Sequence, residues 1–359
     1  MRALLLRADP ALCRHHGCVS APTSLVTATQ RALVAAGPCD VTLHTIRPGS
    51  GGAASGSDFP ALVRQFTESG APPADVVHAY DLVSAAVALS AGRTAGWAVV
   101  VRAQLAGGPM SPTGQTLWPV VLRAADLVLV PTTADATFAR SLGAPPSRLM
   151  SCSDAALLAA EEASTEEPGA GSVAAVRDGV PDDGYVLGLS GAPADPRTRA
   201  QLIRALKARP QLRLVLAGPS TEDRTDRRLL SALADRHRVA DRLDLVGRAS
   251  VAEMVRLVRD SCAVVATRSD PTSALAALVA MHCAKPVVGV RSAALSDIQI
   301  DGVTGRVVDP ARLAAALDQT VHDRFRQVAW GMAGLDRVWA RYAPEVVTRS
   351  LLGAYDRVA

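Results

Sequence analysis

Two cysteines and two histidines near the amino terminus are the first residues whose types could do chemistry. Cys13, His15, His16 and Cys18 follow the first apolar run of the chain. Thiolate and imidazole groups are the usual zinc ligands, but this spacing matches none of the standard zinc patterns. We therefore predict no metal site and no cofactor. The histidine pair then either lines a binding surface or faces solvent.

A second candidate is the segment Ser269–Ser273, which predicts the start of a helix. Asp270 suits the N-cap position and Pro271 suits the first helical position. The amides at a helix start attract phosphate groups. The donors in question are the amides of Ser273, Ala274 and Leu275. A capping aspartate would use one donor and repel an anion, so a phosphate site and an ordinary capped helix both remain open.

The elements that must position these residues alternate short apolar runs with amphipathic stretches, which is typical of α/β proteins. Strands are predicted at 2–6, 40–46, 76–79, 98–101, 127–131, 185–190, 212–217, 242–246, 263–267 and 286–290. Helices are predicted at 23–36, 82–93, 117–125, 196–208, 224–236, 250–260, 273–282, 311–319, 322–339 and 344–358. Open parallel sheets bind ligands at the carboxyl ends of their strands, so we expect the site there.

The alternation is interrupted once, between two series of strands. Residues 159–184 are rich in Glu, Asp and Gly and contain hardly any large apolar side chain, which predicts a linker or a loop closing the first domain. A chain of 359 residues is long enough for two domains. We predict a first domain at 1–165 completed by a helix at 342–359, a linker at 166–184 and a second domain at 185–341.

Composition argues against several other classes of protein. Aromatic residues make up 3% of the chain and its net charge of +4 is not concentrated in a basic run, so we expect no nucleic-acid partner. The sequence predicts no membrane span and no signal peptide. Six cysteines in 359 residues do not suggest a disulfide framework, so the expected location is the reducing cytoplasm.

Segments along nearly the whole chain resemble motifs of the retaining GT-B glycosyltransferases of family 4. Asp301–Gly305 is identical to that family's usual DGVTG, and Ala280–Gly289 resembles its AMACGxPVV. Further similar segments are Asp75–His78, Arg123–Asp126, Leu142–Arg148, Leu243–Arg248 and the closing helix around Tyr342–Tyr355. The resemblance implies the GT-B fold, an α/β architecture of two Rossmann-like domains whose parallel sheets face a cleft.

The resemblance also implies a reaction. A UDP- or GDP-linked sugar donor would lie on the second domain and a small-molecule acceptor on the first. The catalytic candidates are Gln104, where the family has a histidine, and Asp270, one residue before the first family glutamate. The implied donor-binding residues are Ser190, Gly191, Arg197, Arg248, Thr272, Ser273, Ala274, Leu275 and Val279. The implied acceptor cleft contains His15, His16, Ser20 and His78.

The sequence departs from the family at the donor site. Pro271 and Val279 occupy the places of its two glutamates, and valine cannot accept a hydrogen bond from a ribose. Gly191 and Pro196 occupy the places of its diphosphate-binding arginine and lysine, with Arg197 adjacent. Two hypotheses follow. The chain is either a glycosyltransferase with an altered donor site or a catalytically lapsed homologue that serves as a binding or partner subunit.

Overall fold

The computed structural model describes residues 1–15, 23–37, 39–47, 59–68, 72–105, 110–163, 185–188, 195–217, 224–247, 251–267 and 271–359. The chain divides into two compact units. Unit 1 comprises Met1–Leu158 and Pro344–Ala359, and unit 2 comprises Ala159–Ala343. The predicted linker at 166–184 lies outside the described residues.

Unit 1 contains a parallel sheet in which six strands are described. They are β1 (Arg2–Ala8), β2 (Asp40–Ile46), β3 (Val76–Ala79), β4 (Ala98–Arg102), β5 (Leu127–Val130) and β6 (Leu149–Ser151). Their spatial order is β2-β1-β3-β4-β5-β6. The helices are α1 (Pro10–His15), α2 (Thr23–Ala36), α3 (Phe59–Glu68), α4 (Leu82–Ala95), α5 (Pro112–Ala124), α6 (Thr133–Ser141) and α7 (Ala155–Ala163).

Unit 2 repeats this architecture. Its strands are β7 (Tyr185–Gly188), β8 (Arg213–Ala217), β9 (Leu243–Val246), β10 (Ala263–Ala266), β11 (Val287–Val290) and β12 (Gly305–Val308). They lie in the order β12-β11-β10-β7-β8-β9 and pair in parallel. The helices are α8 (Pro196–Ala208), α9 (Arg224–Arg236), α10 (Val251–Asp260), α11 (Pro271–His282), α12 (Ala293–Ile298), α13 (Leu313–His322) and α14 (Arg324–Arg341).

The strands form because short apolar runs are covered on both faces by helices. Every residue of β3, β5, β7 and β10 is buried, as expected for parallel sheets, whose strands are continuous apolar runs. The predicted α/β class with two parallel sheets is confirmed. None of the helices in the described residues is long and apolar enough to cross a membrane.

The last helix of the chain returns to unit 1. This helix, α15 (Pro344–Asp356), packs against α2 and buries Val347, Leu351 and Tyr355. The hydroxyl of Tyr355 is hydrogen-bonded to Nδ1 of His78 on β3 at 2.8 Å. The final residues therefore complete the core of a unit whose other residues precede Ala159.

The segment that is identical to DGVTG forms the turn before β12. The carboxylate of Asp301 accepts a hydrogen bond from the amide of Val307 at 3.0 Å. Gly305 has a φ of 140°, and a Cβ there would lie 2.0 Å from the carbonyl oxygen of Val287. The motif thus fastens an edge strand to the sheet, which explains these residue types without a ligand.

Some elements were not predicted from the sequence. They are the short strands β6 and β12 and the helices α1, α3, α6, α7 and α12. The clearest difference concerns residues 159–163, where the composition predicts a linker or a loop closing the first domain, and which lie in α7. Alanine, leucine and glutamate all favour helices, but the two glutamates that end this helix resemble the acidic segment that follows.

Candidate functional site

Each sheet reverses its strand order once, and such a reversal is where open α/β sheets bind ligands. In unit 2 the chain proceeds from β7 outward to β9 and then returns to the other side of β7 with β10. The carboxyl ends of β7 and β10 are therefore neighbours, and Gly188 is in register with Val265. Helices α8 and α11 follow these two strands, so both begin at this edge. This reversal is the candidate donor site.

The two helices approach the reversal from different sides. Strand–helix–strand crossovers between parallel strands are right-handed, so a change in direction along the sheet places the next helix on the opposite face. Accordingly, α8 packs with α9 and α13, whereas α11 packs with α12 and α14. A ligand at the reversal would meet the start of one helix from each face.

The start of α8 is capped by an aspartate. The carboxylate of Asp195 accepts hydrogen bonds from the amides of Thr198 at 2.9 Å and Arg197 at 3.3 Å. The hydroxyl of Thr198 also donates to it at 2.7 Å, and these hydrogen bonds lower the pKa of the carboxyl. The side chain of Arg197 is exposed beside this cap. Among the described residues, Arg197 is the cation that the sequence predicts to bind the diphosphate.

The start of α11 supplies fewer donors than the sequence suggested. In a helix that begins at Pro271, the amide of Leu275 is taken by the carbonyl of Pro271, four residues earlier. The amide of Leu275 is therefore not available to a ligand. Ala274 lies in the same first turn of the helix. The amides of Thr272 and Ser273 lie among the positions that a helix leaves without an intrahelical partner. The side chain of Ser273 is buried.

Val279 lies in the middle of α11 and is buried. Its neighbours on the helix, Leu278 and Ala280, are buried as well. The side chain therefore packs in the apolar core of unit 2. If a donor ribose lies over this helix, Val279 offers it neither a hydrogen-bonding group nor an exposed surface.

In unit 1, the candidate Gln104 follows the carboxyl end of β4. The guanidinium of Arg102 donates from Nη1 to the side-chain oxygen of Gln104 at 2.7 Å and from Nε to Asp154 at 2.5 Å. A guanidinium contains only donors, so the amide oxygen must face it. The NH₂ group of Gln104 then points away from Arg102. The half-buried Gln104 is thereby held as a hydrogen-bond donor rather than as an acid or base.

His78, which the sequence assigned to the acceptor cleft, is completely buried. Its ring stacks on Tyr80 with the ring centroids 4.3 Å apart and is hydrogen-bonded to Tyr355. Burial, and then the charge of Arg102, lower the pKa of His78 to about 3. A neutral side chain without exposed surface packs the core here and has no face to offer an acceptor.

The strand order of unit 1 reverses between β1 and β3, and a buried aspartate fills that position. The carboxylate of Asp81 accepts from the amide of Ala8, at the end of β1, at 2.8 Å and from the amide of Ser84 at 2.9 Å. It caps α4 and joins the ends of both strands. Burial raises the pKa of Asp81.

The remaining predicted residues are only partly described. His15 and Thr272 lie in α1 and α11. Since α1 follows β1, His15 belongs to the segment that leaves the reversal of unit 1. The residues outside the described part of the chain are His16, Ser20, Ser190, Gly191, Arg248 and Asp270.

Sequence reasoning missed the polar groups that hold the end of β4. Arg102 and Asp154 are 52 residues apart in sequence, and no short motif connects them. The available signal was a charged residue directly after the apolar run Ala98–Val101, since a charge at that position must be paired if it is buried. A charged residue directly after a buried strand therefore indicates a buried ion pair.

Two open cavities are lined entirely by described residues. One, of about 400 Å³, lies between α2 and α15, and one of about 710 Å³ lies beside β2 and α3. Neither contains a residue that the sequence assigned to a site. The second is lined by Gln30, Leu43, His44, Thr45, Ile46, Arg47, Leu62, Gln65 and Phe66.

Comparison with known proteins agrees with this architecture. Residues 197–337 match the family described as Glycosyl transferases group 1. The D-inositol 3-phosphate glycosyltransferase of Stackebrandtia nassauensis is 32% identical over 201 residues. That alignment covers 52% of this chain and 45% of the relative, so the chain matches less than half of the length of this curated protein.

Solved structures are similar over almost the whole chain. Anabaena Alr3699/HepE in complex with UDP-glucose superimposes with a TM-score of 0.72 at 16% identity, covering 99% of this chain and 100% of that one. Sucrose-phosphate synthase from Thermosynechococcus elongatus gives a TM-score of 0.73 at 20% identity, covering 99% and 98%. At these identities the likeness concerns the fold. The chain thus has the GT-B fold, and its residues 197–337 match the group 1 glycosyl transferases.

Proposed function

We propose that this chain is a retaining glycosyltransferase of the family 4 type that transfers a sugar from a UDP- or GDP-linked donor to a small-molecule acceptor. The observation that carries the proposal is the reversal between β7, which precedes the segment matching the group 1 family, and β10, which lies within that segment. Two helix starts and the exposed Arg197 border it. Similar structures were solved with UDP and with UDP-glucose.

The transfer of a sugar needs positive charge where the leaving diphosphate develops negative charge. Arg197 and the amino-terminal end of α11 would supply it. The carboxylate of Asp195 accepts hydrogen bonds from the amides at the start of α8. These amides therefore contribute little to the binding of another anion. We therefore assign the diphosphate to Arg197 and to α11.

The donor site would be altered at the ribose and at the sugar. Val279 is buried and apolar, so any hydrogen bonds to the ribose must come from other residues. Asp270 would take the place of the first glutamate. On the acceptor side, Gln104 would donate a hydrogen bond from its fixed amide to a substrate oxygen. Five cysteines among the described residues form no disulfide, which accords with the cytoplasm as the proposed compartment.

A second candidate function is a catalytically lapsed subunit that binds a protein partner. The observation that favours it is the abundance of negative charge at the candidate donor site. Asp195 caps one helix there, and Asp270 is expected to cap the other. Each carboxylate competes with a phosphate for amides and repels it.

Turnover separates the two functions. The purified chain is incubated with UDP-glucose or GDP-glucose and a panel of sugar, polyol and sugar-phosphate acceptors, and the released nucleoside diphosphate is measured. We expect release from one donor that depends on an acceptor. Release from neither donor with any acceptor, together with no binding of UDP or GDP, would favour the lapsed subunit.

The matched variants are Arg197→Ala and Arg204→Ala. Both arginines are exposed on α8, but Arg197 lies at its start and Arg204 two turns further along. Loss of one phosphate contact is expected to weaken donor binding at least about 10-fold in Arg197→Ala. Arg204→Ala should bind as the unmodified chain does. Equal affinity of both variants would remove Arg197 from the site.

A further inference from the structure

Helix α14 of unit 2 carries a row of large apolar side chains on its exposed face. Phe325, Val328, Met332 and Trp339 are 82, 66, 49 and 71% exposed, and Leu335 is half-buried between them. We call these five residues the α14 stripe. A surface helix of a globular protein normally presents charged and polar side chains on the face opposite the core.

The opposite face of α14 already has its partners in the core. Trp330 is buried and donates its indole N–H to the carbonyl of Gly302 at 3.0 Å. Val338 is buried, Gly334 packs against Met281, and Gly331 lies against the backbone after α11. The α14 stripe is therefore not the core face of this helix. A helix with apolar side chains on both faces is normally packed against other structure on both faces.

The spacing of the stripe indicates the shape of what covers it. The five positions are separated by three, four, three and four residues. This is the a and d pattern of a heptad, in which the side chains of one helix fit between those of another. At 100° per residue the five directions fall within about 80° of the helix circumference. A narrow seam of this kind fits a helix better than a flat surface.

The area of the stripe matches one half of a dimer interface. A large aromatic side chain presents about 150–250 Å², so the four exposed side chains together present on the order of 500 Å². A standard interface buries about 800 Å² per partner, of which about 65% is apolar in homodimers. The exposed apolar area of the stripe agrees with the apolar area of half an interface. A second copy of the same helix would therefore supply a surface of matching size.

The charged side chains that flank the stripe suit the rim of a protein interface. Arg324 and Asp336 are both exposed and lie on opposite sides of it. At the rim of an interface such groups remain solvated. The stripe is also nearly symmetric about Met332, with aromatic side chains seven residues to either side. An antiparallel two-fold pairing therefore places Phe325 of one copy near Trp339 of the other.

We propose that the α14 stripe is a homodimer interface in which two copies of the chain pair through α14 around a two-fold axis near Met332. The stripe shares no residue with the candidate donor site. It does not depend on the proposed catalytic function and can be tested without any substrate.

Sedimentation equilibrium of the full chain tests the proposal. The unmodified chain is expected to dimerise at micromolar concentration. The double variant Phe325→Ser/Trp339→Ser should weaken the dimer by at least about 100-fold, because it removes both aromatic anchors. Both side chains are exposed in one copy, so the far-UV circular dichroism should be unchanged. The matched control Val120→Ser/Leu229→Ser removes two exposed apolar side chains elsewhere (55 and 50% exposed) and should still dimerise.

A cross-link locates the axis. Met332→Cys is expected to form a disulfide-linked dimer on mild oxidation, and Val120→Cys is not. A monomeric unmodified chain at every concentration would overturn the proposal, as would a dimer that the stripe variant leaves intact. A monomer that instead sediments with vesicles of phosphatidylcholine and phosphatidylglycerol, and loses that binding in the stripe variant, would assign the stripe to a membrane and also overturn it.

Discussion

Breaking the ion pair between Arg102 and Asp154 tests how the candidate Gln104 is held. The two side chains are 5 and 3% exposed and 2.5 Å apart. In Asp154→Ala a buried guanidinium loses its counter-charge, which costs about 3–5 kcal/mol of unfolding free energy in comparable buried pairs. A change of 1 kcal/mol shifts the melting temperature by about 2–4 °C in a domain of 150–250 residues. The melting temperature of unit 1 should therefore fall by about 6–20 °C.

The double variant separates a paired charge from simple loss of packing. Arg102→Met/Asp154→Leu replaces both ions by apolar side chains, and such replacements are neutral or stabilising in other buried pairs. Urea unfolding followed by circular dichroism should therefore show the double variant to be more stable than either single variant. The exposed pair of Arg2 and Asp75, 2.7 Å apart, is the matched control. Asp75→Ala should change stability far less. Additive losses in the double variant, or a small loss in Asp154→Ala, would show that the two charges do not depend on each other.

Three other changes have expected outcomes. Ala284→Gly should stabilise unit 2 by about 0.5–1 kcal/mol, because the φ of 52° at Ala284 costs an alanine about 1–2 kcal/mol. The control Ala232→Gly, on the exposed face of α9, should instead lower the free energy of unfolding by about 1 kcal/mol. Both are measured by urea unfolding. Gly331→Ala should cost about 2 kcal/mol or more, because its Cβ would lie 2.0 Å from the carbonyl oxygen of Ala284; an unchanged melting temperature would contradict this close contact. The lowered pKa of His78, about 3 when folded against an ordinary 6.5, means that below pH 6.5 the unfolded chain binds a proton that the folded chain rejects. Stability should therefore fall by about 1.4 kcal/mol per pH unit between pH 6 and pH 4, and His78→Gln should reduce this slope whereas exposed His322→Gln should not.

The fold was predictable because its signals are local. Continuous apolar runs such as Val76–Ala79 and Ala263–Ala266 mark buried parallel strands, and the helices between them have clear amphipathic spacing. Strand β12 was missed because it has four residues, begins with glycine and depends on the turn at Asp301 for its position. A strand that is fixed by distant contacts leaves little trace in its own residues.

The site was less predictable because burial and pairing are set by tertiary structure. His78 has the residue type of a catalyst, but the final helix brings Tyr355 to it from 277 residues away. The sequence places Pro271 at the first helical position, as the structure does, but the donors expected at Ser273, Ala274 and Leu275 include an amide that the carbonyl of Pro271 takes within the helix. The arrangement of Arg102 and Asp154 depends on the pairing of β4 with β5 and of β5 with β6. Such long-range contacts can be identified only in the three-dimensional structure.

Binding of a nucleotide-sugar donor by unit 2 can be measured by calorimetric titration of the unmodified chain with UDP, GDP, ADP and TDP. We expect one of the four, UDP or GDP, to bind at micromolar concentration, with an affinity that the Arg197→Ala variant lowers at least about 10-fold. No binding of any of the four at millimolar concentration would show that unit 2 is not a donor site and would favour the lapsed subunit with a protein partner.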